Sequence, residues 1–296
     1  AVDRARAAGA PPRFTIGPGY PAALAALEAP PPLLYVKGRA ELLNRAVIAV
    51  VGSRQCSAAG GKLARHFAHE LAPAGYVVAS GLARGIDSIA HEASLAQGTV
   101  AVVAGGIDVV YPPEHADLQE RIGTEGCLVS EMPPGFVPRG KDFPRRNRII
   151  SGISLAVLVV EAARRSGSLV TARLAAEQGR EVFAVPGHPL DPLAEGTNRL
   201  LKSGATLATE PEDLLSALTP MTRPPPARQR DEPAATEDCG PEAPPVPLSA
   251  AERAQVLAAP GPAPVDIAPL LRRPGLSLLA VPVAPTPPAL AGRSSR

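Results

Sequence analysis

The sequence predicts a doubly wound α/β domain with a mainly parallel sheet, and two observations lead to this fold class. Short apolar runs without charged residues recur through residues 46–218, and an amphipathic helical pattern follows each run. Continuous apolar strands are typical of a sheet buried on both faces, and a strand–helix–strand order produces right-handed parallel crossovers. The predicted strands are Ala46–Val51, Tyr76–Ala79, Val100–Ala104, Cys127–Ser130, Leu155–Val160, Val182–Val185 and Ala205–Ala208.

Changes in composition divide the 296 residues into four segments. The alanine- and proline-rich beginning predicts an N-terminal arm, with a short helix near Ala22–Leu27 and an edge strand at Leu33–Lys37. After the α/β domain, a proline-rich stretch predicts a disordered linker, and a capped run from Ser249 predicts a small helical segment. The four segments are 1–45, 46–218, 219–248 and 249–296.

Charge and cysteine content narrow the class of protein. The net charge is only +2, so any site for an anionic partner has to be local. The three cysteines are scattered, which fits a reducing compartment and argues against a disulfide framework or a zinc site. Without an apolar run of about 18 residues or the pattern of a signal peptide, we expect a cytoplasmic protein that does not enter a membrane.

The residues that follow the predicted strands are glycines, hydroxyl side chains and arginines. Ligands of such sheets bind beyond the carboxyl ends of the strands, where helix N-termini attract anions. Gly52, Ser53 and Arg54 follow the first strand, Arg84 follows the second, and the turn Ser166–Ser168 follows the fifth. Any one such turn has a structural explanation, since tight turns favour glycine and helix caps favour serine. Together they favour a crevice lined by phosphate-binding groups.

A cationic stretch at 138–152 points to the same edge of the sheet. Phe143, one of five phenylalanines in a chain without tryptophan, lies among cations. An aromatic ring between cations is typical of a groove for single-stranded nucleic acid, where it stacks on a base while the cations hold the backbone. A solvated helix face with a core phenylalanine is the alternative explanation. The five cations are Arg139, Lys141, Arg145, Arg146 and Arg148.

The usual cofactors of such sheets are not indicated, and we predict none. The segment Gly52–Gly60 lacks the glycine fingerprint of dinucleotide-binding proteins, and the second strand ends at Gly81 without an acidic residue for a ribose hydroxyl. The Gly61-Lys62 pair has neither the upstream glycine nor the following hydroxyl of a P-loop.

Candidate catalytic groups are few. Asp87 and His91 stand four residues apart on one predicted helix, and we assign them structural roles, Asp87 as a cap and His91 as a hydrogen-bonded residue beneath the crevice. Glu131 and Glu161 end two strands, and two opposed carboxylates could hydrolyse a glycosidic bond. We expect them instead to pair with nearby arginines.

Motifs along residues 30–218 closely resemble the DprA (DNA-processing protein A, or Smf) family. The resemblance implies an extended Rossmann-like domain that binds single-stranded DNA without strong sequence preference. It also implies a homodimer, no catalytic activity, and loading of the recombinase RecA onto incoming strands in natural transformation. The motifs are Gly52-Ser-Arg54, Ser80-Gly-Leu-Ala-Arg-Gly-Ile-Asp87, Ala90-His91, Gly105-Gly-Ile-Asp108, Tyr111-Pro112, Ser130-Glu131, Phe143-Pro-Arg-Arg-Asn-Arg-Ile-Ile-Ser-Gly152, Val160-Glu-Ala162, Ser166-Gly-Ser168, Thr171-Ala172, Val185-Pro-Gly187 and Gly196-Thr-Asn198.

The resemblance also implies roles for individual residues. Arg54 would hold a phosphate, and Phe143 would be the ring available for stacking. Lys141 and the run Arg145–Arg148 would line the DNA pocket, with Asn147 fixing a turn. The predicted DNA- and phosphate-binding residues are Gly52, Ser53, Arg54, Arg84, Lys141, Phe143, Arg145, Arg146, Asn147, Arg148, Ser166, Gly167 and Ser168.

The sequence departs from the family at both ends. The first 45 residues are too few for the complete helical SAM-like domain with which many members begin, so the arm corresponds at most to a remnant of it. Many members end in a winged helix, but Pro274 and Pro282 confine the segment where its third helix would fall. We expect an incomplete winged-helix-like segment at 249–296.

An enzyme remains the alternative function. A related Rossmann-type fold serves nucleotide phosphoribohydrolases, in which Glu131 or Glu161 would act as the acid/base. Those enzymes have a Pro-Gly-Gly-x-Gly-Thr loop after a central strand, whereas this strand continues into Glu161-Ala-Ala-Arg-Arg-Ser-Gly-Ser168.

Overall fold

The computed structural model describes residues 2–222. The predicted linker beyond residue 222 and the predicted winged-helix-like segment at 249–296 lie outside the described residues. Within the described residues, no helix is both long enough and apolar enough to span a membrane.

One sheet of nine strands runs through the described residues in the order β1-β2-β6-β5-β4-β3-β7-β8-β9. The strands β3 to β9 pair with one another in parallel, while β2 is antiparallel to β1 and β6. This architecture confirms the predicted α/β fold with a mainly parallel sheet. The strands are β1 Pro12–Phe14, β2 Leu33–Gly38, β3 Val47–Val51, β4 Val77–Ser80, β5 Thr99–Val103, β6 Cys127–Ser130, β7 Ala156–Val159, β8 Glu181–Ala184 and β9 Thr206–Leu207.

Helices cover both faces of the sheet, as continuous apolar strands require. Along β3, Ile48 and Val50 face a cluster that includes Phe67 of the first long helix, and Val47 and Ala49 face a cluster that includes Ile149. Every residue of β3 is buried as a result. The helices are α1 Val2–Ala7, α2 Ala22–Ala25, α3 Ala58–Leu71, α4 Ile86–Ser94, α5 Ala116–Glu125, α6 Asp142–Gly152, α7 Ser168–Glu177, α8 Glu195–Lys202 and α9 Pro211–Thr222, with short 3₁₀ turns at Ala40–Asn44, Leu95–Gln97 and Pro113–His115.

Residues assigned to the N-terminal arm contribute two strands to the same sheet. The predicted strand at Leu33–Lys37 is present as β2, but it is not at the edge, because β1 pairs outside it and β6 pairs inside it. The predicted helix near Ala22–Leu27 is present as α2, and its Leu24 is fully buried in the cluster that contains Ile149. Apolar residues on this segment therefore pack on the α/β core and extend the sheet.

The strand order reverses at β3, and this reversal places the site. The chain moves from β3 through β4 and β5 to β6 on one side, and then returns to place β7 on the other side of β3. The loops after β3 and β7 therefore lead away from each other and leave a crevice between them, where ligands of open α/β sheets bind.

Candidate functional site

A cleft of about 850 Å³ lies at the carboxyl ends of β3 and β7. Loops after the six strands β3 to β8 and the first turns of α6 and α7 form its walls, and the cleft coincides with the reversal of strand order. Ten of the thirteen residues predicted to bind DNA or phosphate line it, namely Gly52, Ser53, Arg54, Arg84, Phe143, Arg146, Asn147, Ser166, Gly167 and Ser168.

Arg54 and Phe143 meet across the cleft. The guanidinium carbon of Arg54 lies 5.3 Å from the centre of the Phe143 ring, which is within the range of a cation–π contact. Arg54 is exposed, and within residues 2–222 it forms no ion pair with a carboxylate. Tyr111 completes the group, with its ring centre 5.2 Å from that of Phe143. A cation and an aromatic surface are thus presented together to the solvent of the cleft.

The N-terminus of α7 forms the opposite wall. The hydroxyls of Ser166 and Ser168 lie 2.7 Å apart, and the Ser168 backbone N–H donates to the Ser166 hydroxyl at 3.4 Å. The side-chain amide of Asn147 on α6 donates a hydrogen bond to the Gly167 carbonyl at 3.3 Å. This bond ties α6 to the Ser166–Ser168 turn. The exposed Arg165 precedes the turn and also lines the cleft.

Arg146 is a buried residue that joins α6 to the sheet. Its side chain is 6% exposed, and its Nη1 group donates to the carbonyls of Gly81, at 2.6 Å, and Val102. Its Nε group donates to the Asn147 side chain at 3.2 Å. Burial lowers the pKa of Arg146 to about 10, and the nearby Asp87 carboxylate opposes that effect. Arg146 therefore stays charged near neutral pH and places a cation in the floor of the cleft.

Asp87 and His91 lie beneath the cleft. The Asp87 carboxylate accepts hydrogen bonds from the backbone N–H groups of Gly81 and Ala83, in the loop before α4. The predicted cap was wrong, because Gly85 is the N-cap of α4 and Asp87 closes the preceding loop. Burial raises the pKa of Asp87, and Arg146 lowers it. The fully buried His91 shares a 2.8 Å hydrogen bond with the Thr99 hydroxyl, and burial lowers the pKa of His91 to about 3. His91 is therefore neutral, and it occupies the hydrogen-bonded position predicted from the sequence.

The structure places Lys141, Arg145 and Arg148 outside the cleft, although the sequence assigned them to its lining. Residues three and four apart share a face of an α-helix, so Arg145 and Arg148 share a face of α6, whereas Phe143, Arg146 and Asn147 line the cleft. Both outer arginines bind the same carboxylate. Arg145 lies 3.2 Å and Arg148 lies 2.5 Å from Glu131, which confirms the predicted pairing of Glu131 with arginine.

Glu161 pairs differently from the prediction. Its carboxylate accepts hydrogen bonds from the Ser57 backbone N–H, at 2.9 Å, and from the Ser57 hydroxyl, and it forms no ion pair with an arginine within the described residues. Ser57 in turn caps α3 by accepting a bond from the Gly60 N–H at 2.9 Å. Gly60 is required at this contact, since a Cβ atom there would lie 2.2 Å from the Glu161 carboxyl carbon.

Arg84 lines the cleft, but its guanidinium is already paired with a carboxylate of the protein. Its Nε group forms an exposed ion pair with Glu114, in the 3₁₀ turn at Pro113–His115. That hydrogen bond is the main cause that lowers the pKa of Glu114 to about 2. Arg84 therefore brings less free positive charge to the cleft than Arg54 or Arg165.

Arg165 and Tyr111 line the cleft and were not among the predicted site residues. Arg165 directly precedes the Ser166–Ser168 turn, and a cation beside a helix N-terminus could have been predicted from the sequence to bind phosphate. Tyr111 belongs to a motif of the resemblance, but its sequence position gave no indication that its ring would meet Phe143. Among residues 2–222 no group of three or more histidine, cysteine, aspartate or glutamate side chains is arranged to hold a metal ion.

Comparison with known proteins agrees with these observations. The family model described as DNA recombination-mediator protein A matches residues 14–219, which include every strand from β2 to β9. The chain belongs to this family. The Smf protein of Escherichia coli is 50% identical over 202 residues, and the match covers 67% of this chain and 54% of that protein. The DprA of Streptococcus pneumoniae is 45% identical over 199 residues, which are 67% of this chain and 70% of that protein.

Two solved structures of the family share the fold. The crystal structure of DprA from Streptococcus pneumoniae has a TM-score of 0.68 at 41% identity, covering 72% of this chain and 77% of that one. DprA from Helicobacter pylori, described for its single-stranded DNA binding mode, has a TM-score of 0.64 at 32% identity, covering 69% of this chain and 94% of that one. The chain spans about half the length of the Escherichia coli relative.

Proposed function

We propose that the cleft binds single-stranded DNA without strong sequence preference. The observation that supports this proposal most is the contact between the Arg54 guanidinium and the Phe143 ring, which lie 5.3 Å apart in the lining of the cleft. Sites for unpaired nucleic acid combine cations for the backbone with rings for the bases, and stacking is tolerant of sequence because every base has a π face. The relative from Helicobacter pylori, described for binding single-stranded DNA, supports the same assignment.

Each wall of the cleft has a part in this binding. Arg54 and Arg165 are exposed cations that neutralise phosphates, and Phe143 stacks on a base. The hydroxyls of Ser166 and Ser168, at the positive end of the α7 dipole, donate hydrogen bonds to a phosphate. Arg146 and Asn147 position these groups, because their side chains are buried and bound to backbone carbonyls.

The protein acts as a binding module and not as an enzyme. The alternative hydrolase needs a carboxylate in the cleft as its acid/base, and Glu131 and Glu161 are bound elsewhere, to two arginines and to Ser57. Asp87 does line the cleft, but its carboxylate already accepts hydrogen bonds from the backbone N–H groups of Gly81 and Ala83, in the loop before α4. It is therefore engaged in closing that loop. Incubation with AMP-type nucleotides would reveal free base if the enzyme alternative were correct.

The family resemblance supports a further role for the bound strand. The protein forms a homodimer in the cytoplasm and loads RecA onto single-stranded DNA during uptake and recombination. Light scattering measures the dimer, and RecA assembly on a strand coated with a single-stranded-DNA-binding protein measures loading. Assembly that does not respond to the added protein would contradict the loading role while leaving DNA binding intact.

Fluorescence anisotropy tests the DNA-binding proposal. A labelled single strand of roughly 30 nucleotides exceeds the site of one binding domain, and it is compared with the matched duplex at several salt concentrations. Wild type should bind the single strand more tightly than the duplex, and Arg54→Ala and Phe143→Ala should each weaken binding to the single strand. Arg121→Ala is the matched control, because Arg121 is an exposed arginine of α5 that pairs with Glu125 and does not line the cleft. Equal binding by wild type, Arg54→Ala and Phe143→Ala would overturn the proposal.

A further inference from the structure

Tyr111 is held in place on both sides by the loop that follows β5. On one side the Val109 N–H donates to the Gly106 carbonyl at 2.9 Å, and the Gln119 side chain donates to the Val109 carbonyl at 3.2 Å. On the other side Pro112 is buried, and the following 3₁₀ turn is bound to the loop after β4 by a 3.1 Å hydrogen bond between the His115 ring and the Leu82 carbonyl. The backbone therefore fixes the position from which the ring projects.

The ring itself is not part of the core. Tyr111 is 47% exposed, and neither Tyr111 nor Phe143 belongs to the hydrophobic clusters of the described residues. Its hydroxyl forms no hydrogen bond with another described residue. Both rings line the same cleft, with centres 5.2 Å apart and planes inclined at 49°. A large aromatic surface held rigidly yet left open to solvent is typical of a binding residue.

From this geometry we infer that Tyr111 is a second base-stacking residue, which makes the cleft selective for single strands over duplex DNA. This inference rests on the proposed function, since it concerns the same ligand. One base stacks on Phe143 and a neighbouring base stacks on the exposed face of Tyr111. Because the two ring planes are inclined at 49°, two bases stacked on them cannot remain parallel to each other.

The inclination explains the selectivity. Neighbouring bases of a duplex are parallel, spaced about 3.4 Å apart along each strand, and held by pairing, so they cannot follow two inclined rings. A single strand can rotate about its backbone and splay two bases at small cost. Cations of the cleft attract both forms of DNA, whereas the pair of rings accepts only the flexible one.

A structural role for Tyr111 is the competing explanation. The Tyr111 ring would then only cover Phe143. Its removal would weaken DNA binding by disturbing the fold of the cleft, because the ring itself makes no contact with DNA. The two roles differ in their dependence on the base, because stacking requires a base and a structural role does not. They also differ in salt dependence, since a stacking residue releases no counterion when it binds.

The test is anisotropy of a labelled oligothymidine, the same strand with tetrahydrofuran abasic positions, and a duplex, with wild type, Tyr111→Ala, Tyr111→Phe and Phe143→Ala. We expect Tyr111→Ala to weaken oligothymidine binding on the order of tenfold, with the salt dependence of the wild type. Tyr111→Phe should retain wild-type affinity, because the ring remains. On the abasic strand, wild type and Tyr111→Ala should bind equally, and the preference for single strand over duplex should fall in Tyr111→Ala.

Three results would overturn the inference. If Phe143→Ala weakens binding but Tyr111→Ala does not, the second ring is not used, although the proposed function stands. If Tyr111→Ala weakens binding to the abasic strand as much as to oligothymidine, the residue acts through the fold. If wild type binds no single strand at all, the inference and the proposed function both fail.

Discussion

The buried guanidinium of Arg146 donates a hydrogen bond of 2.6 Å to the carbonyl of Gly81, although 65 positions separate the two residues in the chain. The bond fastens the first turns of α6 to the end of β4 and so sets the distance between the Phe143 wall and the sheet. Gly81 has no side chain because a Cβ atom there would lie 2.6 Å from the Arg146 guanidinium. Arg146, one of the cations of the stretch 138–152, therefore has a structural role in the floor of the cleft.

Arg146→Met should destabilise the protein more than it changes the surface charge. The substitution leaves the Gly81 and Val102 carbonyls without their donor and the buried Asp87 without its cation. Removal of one partner of a buried charged network costs about 3 kcal/mol or more of unfolding free energy. Denaturant unfolding measures the change in unfolding free energy, with Arg121→Met at an exposed position of α5 as the control. A loss within about 0.5 kcal/mol, as for ordinary surface substitutions, would contradict this role.

His91 should make the protein less stable as the pH falls below neutrality. Burial holds the pKa of His91 at about 3 in the folded state, against its usual value of 6.5, so the unfolded chain takes up this proton first. The contribution of the neutral His91 ring to the free energy of unfolding is fully present above pH 6.5 and is lost as the pH falls toward 3. Between pH 7 and pH 5 the loss is about 2 kcal/mol.

Unfolding free energies at both pH values measure this effect. His91→Gln should remove that part of the pH dependence, whereas the exposed His69→Gln should retain it. An unchanged pH dependence in His91→Gln would show that other groups cause the acid sensitivity.

Two adjacent glycines of α3 should respond oppositely to alanine. Gly60→Ala places a Cβ atom 2.2 Å from the Glu161 carboxyl carbon and displaces the carboxylate that binds Ser57, at a cost of roughly 1–3 kcal/mol. In Gly61→Ala the new atom meets the Cδ1 atom of Ile89 at 3.2 Å, the end of a flexible side chain, and the Sγ atom of Cys56 at 3.9 Å, and helix propensity improves by up to about 1 kcal/mol. Thermal unfolding of both variants checks the pair. Equal loss of stability in the two variants would contradict the assigned role of Glu161.

Arg165 should contribute to the salt dependence of DNA binding, and Arg173 should not. Arg165 is exposed in the cleft, whereas Arg173 lies farther along α7 and pairs with Glu177 at 3.6 Å. Each phosphate neutralised on a single strand changes the slope of log affinity against log salt concentration by about 0.7. Arg165→Ala should therefore reduce the slope by about that amount, while Arg173→Ala, with the same change in net charge, keeps it. Equal slopes for both variants would place the strand elsewhere.

The fold was largely predictable because the strands of a doubly wound sheet are buried on both faces. The apolar run at Ala46–Val51 appears as β3 at Val47–Val51, and Cys127–Ser130 matches β6 residue for residue. The position of β2 was harder to predict, since a local pattern does not show that β1 will pair outside it. Long-range pairing depends on the partner strand, which lies elsewhere in the sequence.

The site was predictable at the strand ends and less so along α6. Motif positions gave Arg54 and Phe143, and the structure brings them together in the cleft. The direction of each cation on α6 depends on where the helix begins, at Asp142, and that start fixed Arg146 inward and Arg148 toward Glu131. The ring pair joins Tyr111, in the loop after β5, to Phe143, in the first turn of α6, and a local sequence pattern does not show such a long-range contact.

The most direct test of the central claim is photochemical cross-linking of wild-type protein to a single strand that contains 5-iodouridine, followed by mass spectrometry of the peptides. Aromatic side chains that contact the modified base react preferentially. If the strand lies in the cleft, the cross-links will fall in peptides that contain Phe143 or Tyr111, and excess unlabelled single strand will abolish them. Cross-links that fall only in other parts of the chain, with both peptides unmodified, would contradict the account.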